Sequence, residues 1–429
     1  MAGTRRKSPS GRGVRAAGGG ALAVLLLAAI PPAALAAPAG GAASPGRGPA
    51  TGLLSVAVDG GPADGASGSP VVSADGRVAA FTSAATNLVR GDDNGRSDLF
   101  VRDLRGGGLK RVVEPRGEIH APVLSANGRY VAYGASDGPR SAVIVRDLRT
   151  GRSERADVGL APEHADGHAP ALSADGRTVA FAVYGTGPGP EGAHAVYVRD
   201  LRTRHTERVS IPAGPDDGFR SFRAPSLSAD GTKVAYQYVH GNPPRGDWSD
   251  LYVHDRDTGV TTQADTTHDG APATGAATNP LLSADGSTLA FDSGARNLVP
   301  KPDPNDGGNP FVRDLRTGAV QRVDAKVPGP EGVVSVDGVS AHGTKLLLDA
   351  KPFLTTEDPE YVRDLRTGTE VLVSPDRDGG PGNALDARMD SRARTVVFAG
   401  FDEENFVPGD TNGVTDVFVW GNDRGERPW

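Results

Sequence analysis

One phrase recurs seven times along this chain, and it limits the fold more than any other feature. The phrase runs Ser-Ala-Asp-Gly, then an apolar stretch ending in Phe or Tyr, then a variable loop, then Val-Arg-Asp-Leu-Arg-Thr-Gly. Clean copies begin at Ser73, Ser125, Ser173, Ser228 and Ser283; worn copies are read at Ser340-Ala341-His342-Gly343 and Ser391-Arg392-Ala393-Arg394. Successive copies start 48–57 residues apart. A unit of that length cannot bury its own apolar face and has to lean on its neighbours.

Each copy reads as four short strands, a to d. In the third copy these are Ala169–Ser173, Thr178–Phe181, Ala195–Val198 and Glu207–Ser210. Asp-Gly between two apolar runs signals a tight a–b hairpin, because Gly accepts positive φ without steric cost. Two series of large residues line up across the copies. One is Phe81, Tyr133, Phe181, Tyr236, Phe291, Leu348 and Phe398; the other is Phe100, Ile144, Tyr197, Tyr252, Phe311, Tyr361 and Phe418. One such residue per unit is what burial between stacked sheets requires. The reading is therefore an all-β, seven-bladed β-propeller of four-stranded blades. The last copy ends at strand c, and the orphan strand Leu53–Val58 is expected to complete the last blade and close the ring.

The flanks read differently. Arg5, Arg6, Lys7, Arg12 and Arg15 precede an apolar core, Ala21–Ile30, that is too short to span a bilayer, and Ala34-Leu35-Ala36 has the small-x-small form of a cleavage site. Residues 1–36 are expected to be an export signal cleaved near Ala36/Ala37. Residues 37–50 form an Ala/Pro/Gly-rich linker, 51–421 the propeller and 422–429 a polar tail. The expected location is secreted or in the cell envelope, with no membrane span in the mature chain. The chain has no Cys, so its stability rests on core burial rather than disulfides. Its net charge is −7, and it grows more negative without the five cations of the leader, which disfavours nucleic acid as a partner. A monomer is expected.

The phrase Leu-Ser-Ala-Asp-Gly-Arg-x-Val-Ala-Phe followed by Val-Arg-Asp-Leu-Arg-Thr-Gly resembles the TolB-like, WD40-like propeller repeats of bacterial exported proteins, over about Leu53 to Trp420. That resemblance implies the propeller; members of the group include binding proteins, scaffolds and the non-catalytic lids of peptidases. The sequence shows neither the amino-terminal α/β domain of TolB proper nor the carboxy-terminal hydrolase domain of the prolyl-oligopeptidase class.

The a–b and c–d connections are short and nearly uniform, whereas d–a and b–c are long and vary. Variable loops on a rigid scaffold are where recognition usually sits. Two residues before the strand-a proline stand Gly68, His120, His168, Arg223 and Thr278, with Ser335 and Asp386 assigned to that place in the worn copies. His120, His168, Arg220, Arg223 and Asp386 are the candidate ligand-binding residues at the channel mouth. A second pattern, Asp-x-Asn-x-x-x-Asp/Asn, recurs in b–c loops: Asp92, Asn94 and Asp98; Asp303, Asn305 and Asn309; Asp410, Asn412 and Asp416. Short oxygen-bearing side chains so spaced suit Ca²⁺, and they equally suit Asx-turns that need no metal. Arg102, Arg146, Arg199, Arg313 and Arg363, each beside an Asp, read as structural pairs that hold the c–d turns. No G-x-S-x-G, H-E-x-x-H or phosphate-loop signature is present. The reading is a non-catalytic scaffold for an envelope protein or a cell-wall glycan. The alternative is a polysaccharide hydrolase or lyase working with carboxylates and His at the mouth. Two carboxylates about 5–10 Å apart in an open cleft would mark the enzyme.

Overall fold

The computed structural model describes residues 50–113, 117–138, 140–160, 166–184, 194–211, 219–241, 248–301, 308–324, 332–352, 358–401, 406–408 and 410–421. The expected leader and polar tail lie outside these residues. Seven four-stranded antiparallel sheets follow one another, and the described residues contain no helix, hence none that is long and apolar enough to cross a membrane. The innermost strands a are Ser67–Val72, Glu118–Leu124, Gly167–Leu172, Phe219–Leu227, Ala277–Leu282, Gly332–Val339 and Ala384–Met389, for blades 1 to 7.

Closure works as expected, with the strand displaced. Ala50–Leu53, not Leu53–Val58, pairs antiparallel with strand c of blade 7, Thr415–Gly421, and becomes that blade's outer strand. Leu54 N–H still reaches Val417 O at 2.7 Å. Ser55 then receives Val417 N–H on its Oγ at 3.0 Å and donates to Asp416. The run up to Val58 leaves the sheet at this point because Asp59-Gly60-Gly61 turns it back, with Val56 bridging Pro62.

The two large-residue series form cross-strand pairs within blades. Phe81 stacks on Phe100, Phe181 on Tyr197, Tyr236 on Tyr252, Phe291 on Phe311 and Phe398 on Phe418, with centroids 5.6–6.1 Å apart. Each pair then packs against an adjacent blade. Phe81 and Phe100 of blade 1 share a cluster with Val397, Val417 and Val419 of blade 7. The opposite face of blade 1, through Ala80, Leu99 and Val101, meets Tyr133 and Ile144 of blade 2. Every blade thus supplies half of two apolar layers, and none is complete alone.

The Ser-Ala-Asp-Gly phrase does more than turn the chain. Ser73 Oγ donates to Asp75 at 2.7 Å and accepts Val78 N–H at 3.0 Å, closing the hairpin. Beyond that, the seven a–b turns are joined blade to blade by backbone bonds. Asp75 N–H reaches Ala126 O, Ala126 reaches Ala174, Ala174 reaches Ala229 and Ala229 reaches Ala284. Asp285 then reaches Ala341, Ala341 reaches Ser391 and Ser391 reaches Ala74, all at 2.8–3.1 Å. This ring also fixes the register of the seventh copy. Asp390, not Ser391, takes the serine's place, its N–H bonded to Thr395 O, and Ala393 takes the glycine's left-handed position at φ 53°.

The c–d turns are capped by their Asp residues. Asp147 Oδ1 accepts Arg149 N–H at 2.9 Å and Thr150 N–H at 3.3 Å, and Asp103, Asp200, Asp314 and Asp364 repeat the pattern. The neighbouring arginines do not pair with these Asp residues. Arg199 bonds Thr206 and the Arg204 carbonyl, Arg313 the Thr266 carbonyl, Arg363 Glu370 and Arg146 Ser153. Arg146, Arg199 and Arg363 thus bond along the c–d hairpin of their own blade, and Arg313 reaches the connection between blades 4 and 5.

Candidate functional site

The axial channel is built by an irregularity that each strand a carries. Between Gly68 and Val71 the register with strand b shifts; the same bulge recurs in blades 2 to 5 and 7, and blade 6 has a one-residue shift between Val336 and Gly338. Ser69, Ala121, Ala169, Ala224, Asn279 and Asp386 adopt left-handed backbone there, with φ between 46° and 55°. In blades 1 to 5 a proline follows. Strand a has a hydrogen-bonded neighbour on one side only, so a proline at the bulge removes no ladder bond. Pro70, Pro122, Pro170 and Pro225, with Ser69, Ala121, Ala169, Asp386 and Arg388, line a cavity of about 360 Å³. Asp386 therefore shares the bulge position of Ser69 and Ala121. The residue of blade 7 in register with His120 and His168 is Leu385, paired with Ala399.

Above the bulges, blades 2 and 3 carry a row of rings. His120 and His168 lie 6.1 Å apart, His168 and Tyr184 4.9 Å, Tyr184 and His194 5.0 Å, centroid to centroid. His194 Nδ1 is 3.1 Å from Ser221 Oγ, which accepts Arg223 Nε–H at 3.3 Å. His120 sits between Ser136 and Ser141, at 3.2 and 3.4 Å, over Gly134, where any Cβ would overlap the imidazole. Burial lowers the pKa of all three histidines; His168 adds to this for His120, and Arg223 for His194. Burial raises that of Tyr184. At neutral pH the row is therefore an uncharged set of donors and acceptors beside one guanidinium. Arg220 takes its place in strand a of blade 4, and its side chain lies outside the described part.

Blades 5 to 7 carry carboxyl groups. Asp292 accepts Asn279 Nδ2–H and Val336 N–H, and burial pushes its pKa up to about 7. Asp337 stands where blades 1 to 5 place the bulge proline, and it is hydrogen-bonded to Glu360. Burial, then the charges of Asp337 and Asp349, hold the Glu360 carboxyl well above the usual range. Asp349 is raised to about 6 by burial, against the pull of Lys351. The sequence reading missed Asp337, Asp349 and Glu360 because they fall in the worn sixth copy, where no proline marks the register. Tyr184 and His194 were missed because they close strand b and open strand c beside the long loop, where alignment of the copies is lost.

The loops with Asp-x-Asn spacing form Asx-turns. Asn94 Oδ1 accepts Arg96 N–H and Asn412 Oδ1 accepts Val414 N–H, while the two amides donate to Asp98 and Asp416 at 2.9 and 2.6 Å. In copy 1 the Arg111 guanidinium lies between Asp92 and Asp98, at 2.7 and 2.6 Å. Asn309 opens strand c of blade 5, whereas Asp303 and Asn305 lie outside the described residues. Among the described residues no three acidic, His or Cys side chains are placed to hold a metal ion.

This is the architecture of the seven-bladed propeller repeat proteins, and comparisons with known proteins agree. No family profile matches the chain, and no curated relative does. Among solved structures, an oligogalacturonate lyase in complex with manganese aligns with TM-score 0.57 at 14% identity, covering 88% of this chain and 97% of its own. The propeller domain of the Trilobed protease from Pyrococcus furiosus aligns with TM-score 0.57 at 14% identity, covering 84% and 94%. TolB from Acinetobacter baumannii is also among the neighbours, with TM-score 0.40 at 19% identity over 72% of this chain and 64% of its own. Matches extend to 876 chains, so the shared fold does not select a function.

Proposed function

We propose that this protein is an exported, non-catalytic propeller that binds a cell-envelope glycan at the mouth of its axial channel, on the face formed by the d–a and b–c connections. The supporting observation is the row His120–His168–Tyr184–His194 leading to Arg223, set above a cavity of about 360 Å³. Flat neutral rings with hydrogen-bonding edges suit sugar rings, which offer C–H faces and hydroxyl rims. A recess with groups at several depths serves a chain of sugars better than a flat protein surface. Export rests on the character of residues 1–36. The hydrogen-bonded contact of Asp337 with Glu360 is closer than the spacing a glycosidase pair needs, and Glu360 is 1% exposed, which favours binding over hydrolysis.

The test is affinity electrophoresis of the purified protein in gels holding isolated cell-wall polysaccharide, with His168→Ala and Arg223→Ala alongside. Retardation that both substitutions reduce supports the reading. Retardation that ignores both overturns the siting, and capture of envelope proteins without glycan assigns the face to a protein partner. Release of new reducing ends or unsaturated products would move the protein to the enzyme alternative.

A further inference from the structure

The wall opposite the ring row has an unmet charge. Asp337, Asp349, Asp358, Asp386 and Glu360 stand against two cations, Lys351 and Arg388. Lys351 Nζ is 3.1 Å from Asp349 and 3.5 Å from Asp358, and Arg388 Nη1 is 4.0 Å from Asp337. Asp386 and Arg388 face the cavity itself. Two buried oxygens, Glu360 Oε2 and Asp349 Oδ1, have no hydrogen-bond donor among the described atoms. Glu360 is almost wholly buried, while Asp337 and Asp349 keep 24% and 13% of their side-chain surface, so the wall opens to solvent through them.

Burying several carboxylates without matching cations is costly, and burial here raises the pKa of Glu360, Asp337 and Asp349. A ligand that brings its own positive charge and several N–H donors offsets that cost. An ammonium group has three donors and one charge. A divalent ion would match the charge, but among the described residues no three acidic, His or Cys side chains are placed to ligate one. Asp292 is outside this wall's supply, being committed to Asn279 and the Val336 backbone. The ring row cannot take the cation, because Arg223 stands beside it.

We propose that the blade 6–7 wall is a subsite for a primary ammonium group, so that the glycan taken by this face carries free amines on its sugars. The inference rests on the glycan reading and narrows its ligand class to deacetylated amino sugars, with the ammonium toward Asp337, Asp349 and Asp386 and the sugar face toward the ring row.

The experiment compares a glucosamine oligosaccharide with its N-acetylated counterpart by isothermal titration calorimetry at pH 7, in two buffers of different ionisation enthalpy. The deacetylated oligomer is expected to bind about tenfold more tightly or better. Its apparent enthalpy is expected to change with buffer as the wall releases protons. Asp386→Asn, which keeps a residue tolerant of left-handed backbone, and Glu360→Gln are each expected to remove most of that preference, with melting temperatures confirming the fold. Equal or tighter binding of the acetylated oligomer overturns the subsite and leaves glycan binding standing, as does an amine preference that survives both substitutions. If neither oligomer binds, spermidine separates the two ideas. Spermidine binding that Glu360→Gln abolishes keeps the ammonium subsite and removes the glycan reading, and no spermidine binding removes both.

Discussion

At the scale of single residues, the copies of the repeat act as substitutions of one another, and one of them is costly. At the end of strand d, Ser210 and Ser374 accept a strand-c N–H with a hydroxyl, and Asp157 does so with a carboxylate paired to Arg155. Asp265 does the same for Leu251, but Gln263 replaces the arginine, and its Oδ2 is buried without a donor. Burial raises its pKa from 3.8 to about 6. A carboxyl raised on folding contributes stability in full below about pH 4 and loses it as pH rises through 6. Asp265→Ser should therefore stabilise at pH 8 by about 1–3 kcal/mol, with the gain falling to about half near pH 5, as read from urea denaturation at both values. Gly176 is constrained twice. Its φ is +73°, and a Cβ there would overlap the Tyr130 ring of the neighbouring blade. Gly176→Ala should cost roughly 2–4 kcal/mol in the same assay.

At the scale of elements, the closing strand and the Asx-turn loops lead to two further expectations. Ala50–Leu53 holds the ring shut by four residues of pairing, and Ser55 extends the lock to Val417 and the fully buried Asp416. Ser55→Ala leaves that N–H and part of that carboxylate unmet, and should lower stability by roughly 1–3 kcal/mol in thermal unfolding. A change in surface loops away from the closure should not. The loops at Asp92 and Asp410 already spend their Asn oxygens on backbone N–H groups, and copy 1 holds an arginine between its two carboxylates. Millimolar Ca²⁺ should leave the melting temperature where chelator leaves it. A rise that Asp410→Asn abolishes would assign a metal to the seventh copy.

At the scale of the whole molecule, buried carboxyls and buried imidazoles set opposing pH dependences. Asp92, Asp265, Asp292, Asp337, Asp349 and Glu360 all have raised pKa values, chiefly from burial, so they favour the folded state in mild acid and lose that contribution as pH rises. His120, His168 and His194 have lowered values, so their contribution is present above pH 6.5 and lost as pH falls. Asp255, held to about 2 by Lys233, matters only in stronger acid. With six carboxyls against four imidazoles, His254 being lowered by burial as well, stability should peak at about pH 5 rather than at neutrality. Urea midpoints from pH 4 to 8 check this; a steady rise from 5 to 8 would contradict it. Asp349→Asn should flatten the alkaline side of the curve.

The repeat alone determined the number of blades, their four-strand order, the paired large residues and the face on which variable loops gather. These follow from periodicity and turn chemistry, which are local and therefore written in neighbouring letters. His120, His168 and Arg223 were legible as register equivalents because a proline two positions on marks the place, and all three pair with strand b just before the bulge. What only the tertiary structure decided depends on juxtaposition across the ring. The backbone bonds that join all seven Ser-Ala-Asp-Gly turns, the one-residue shift of the seventh copy, and Tyr184 and His194 continuing the row begun by His120 are contacts between distant segments. The gathering of Asp337, Asp349 and Glu360 opposite that row is another. Their pKa shifts arise from burial and from each other's charge, and neither exists until the blades close into a ring.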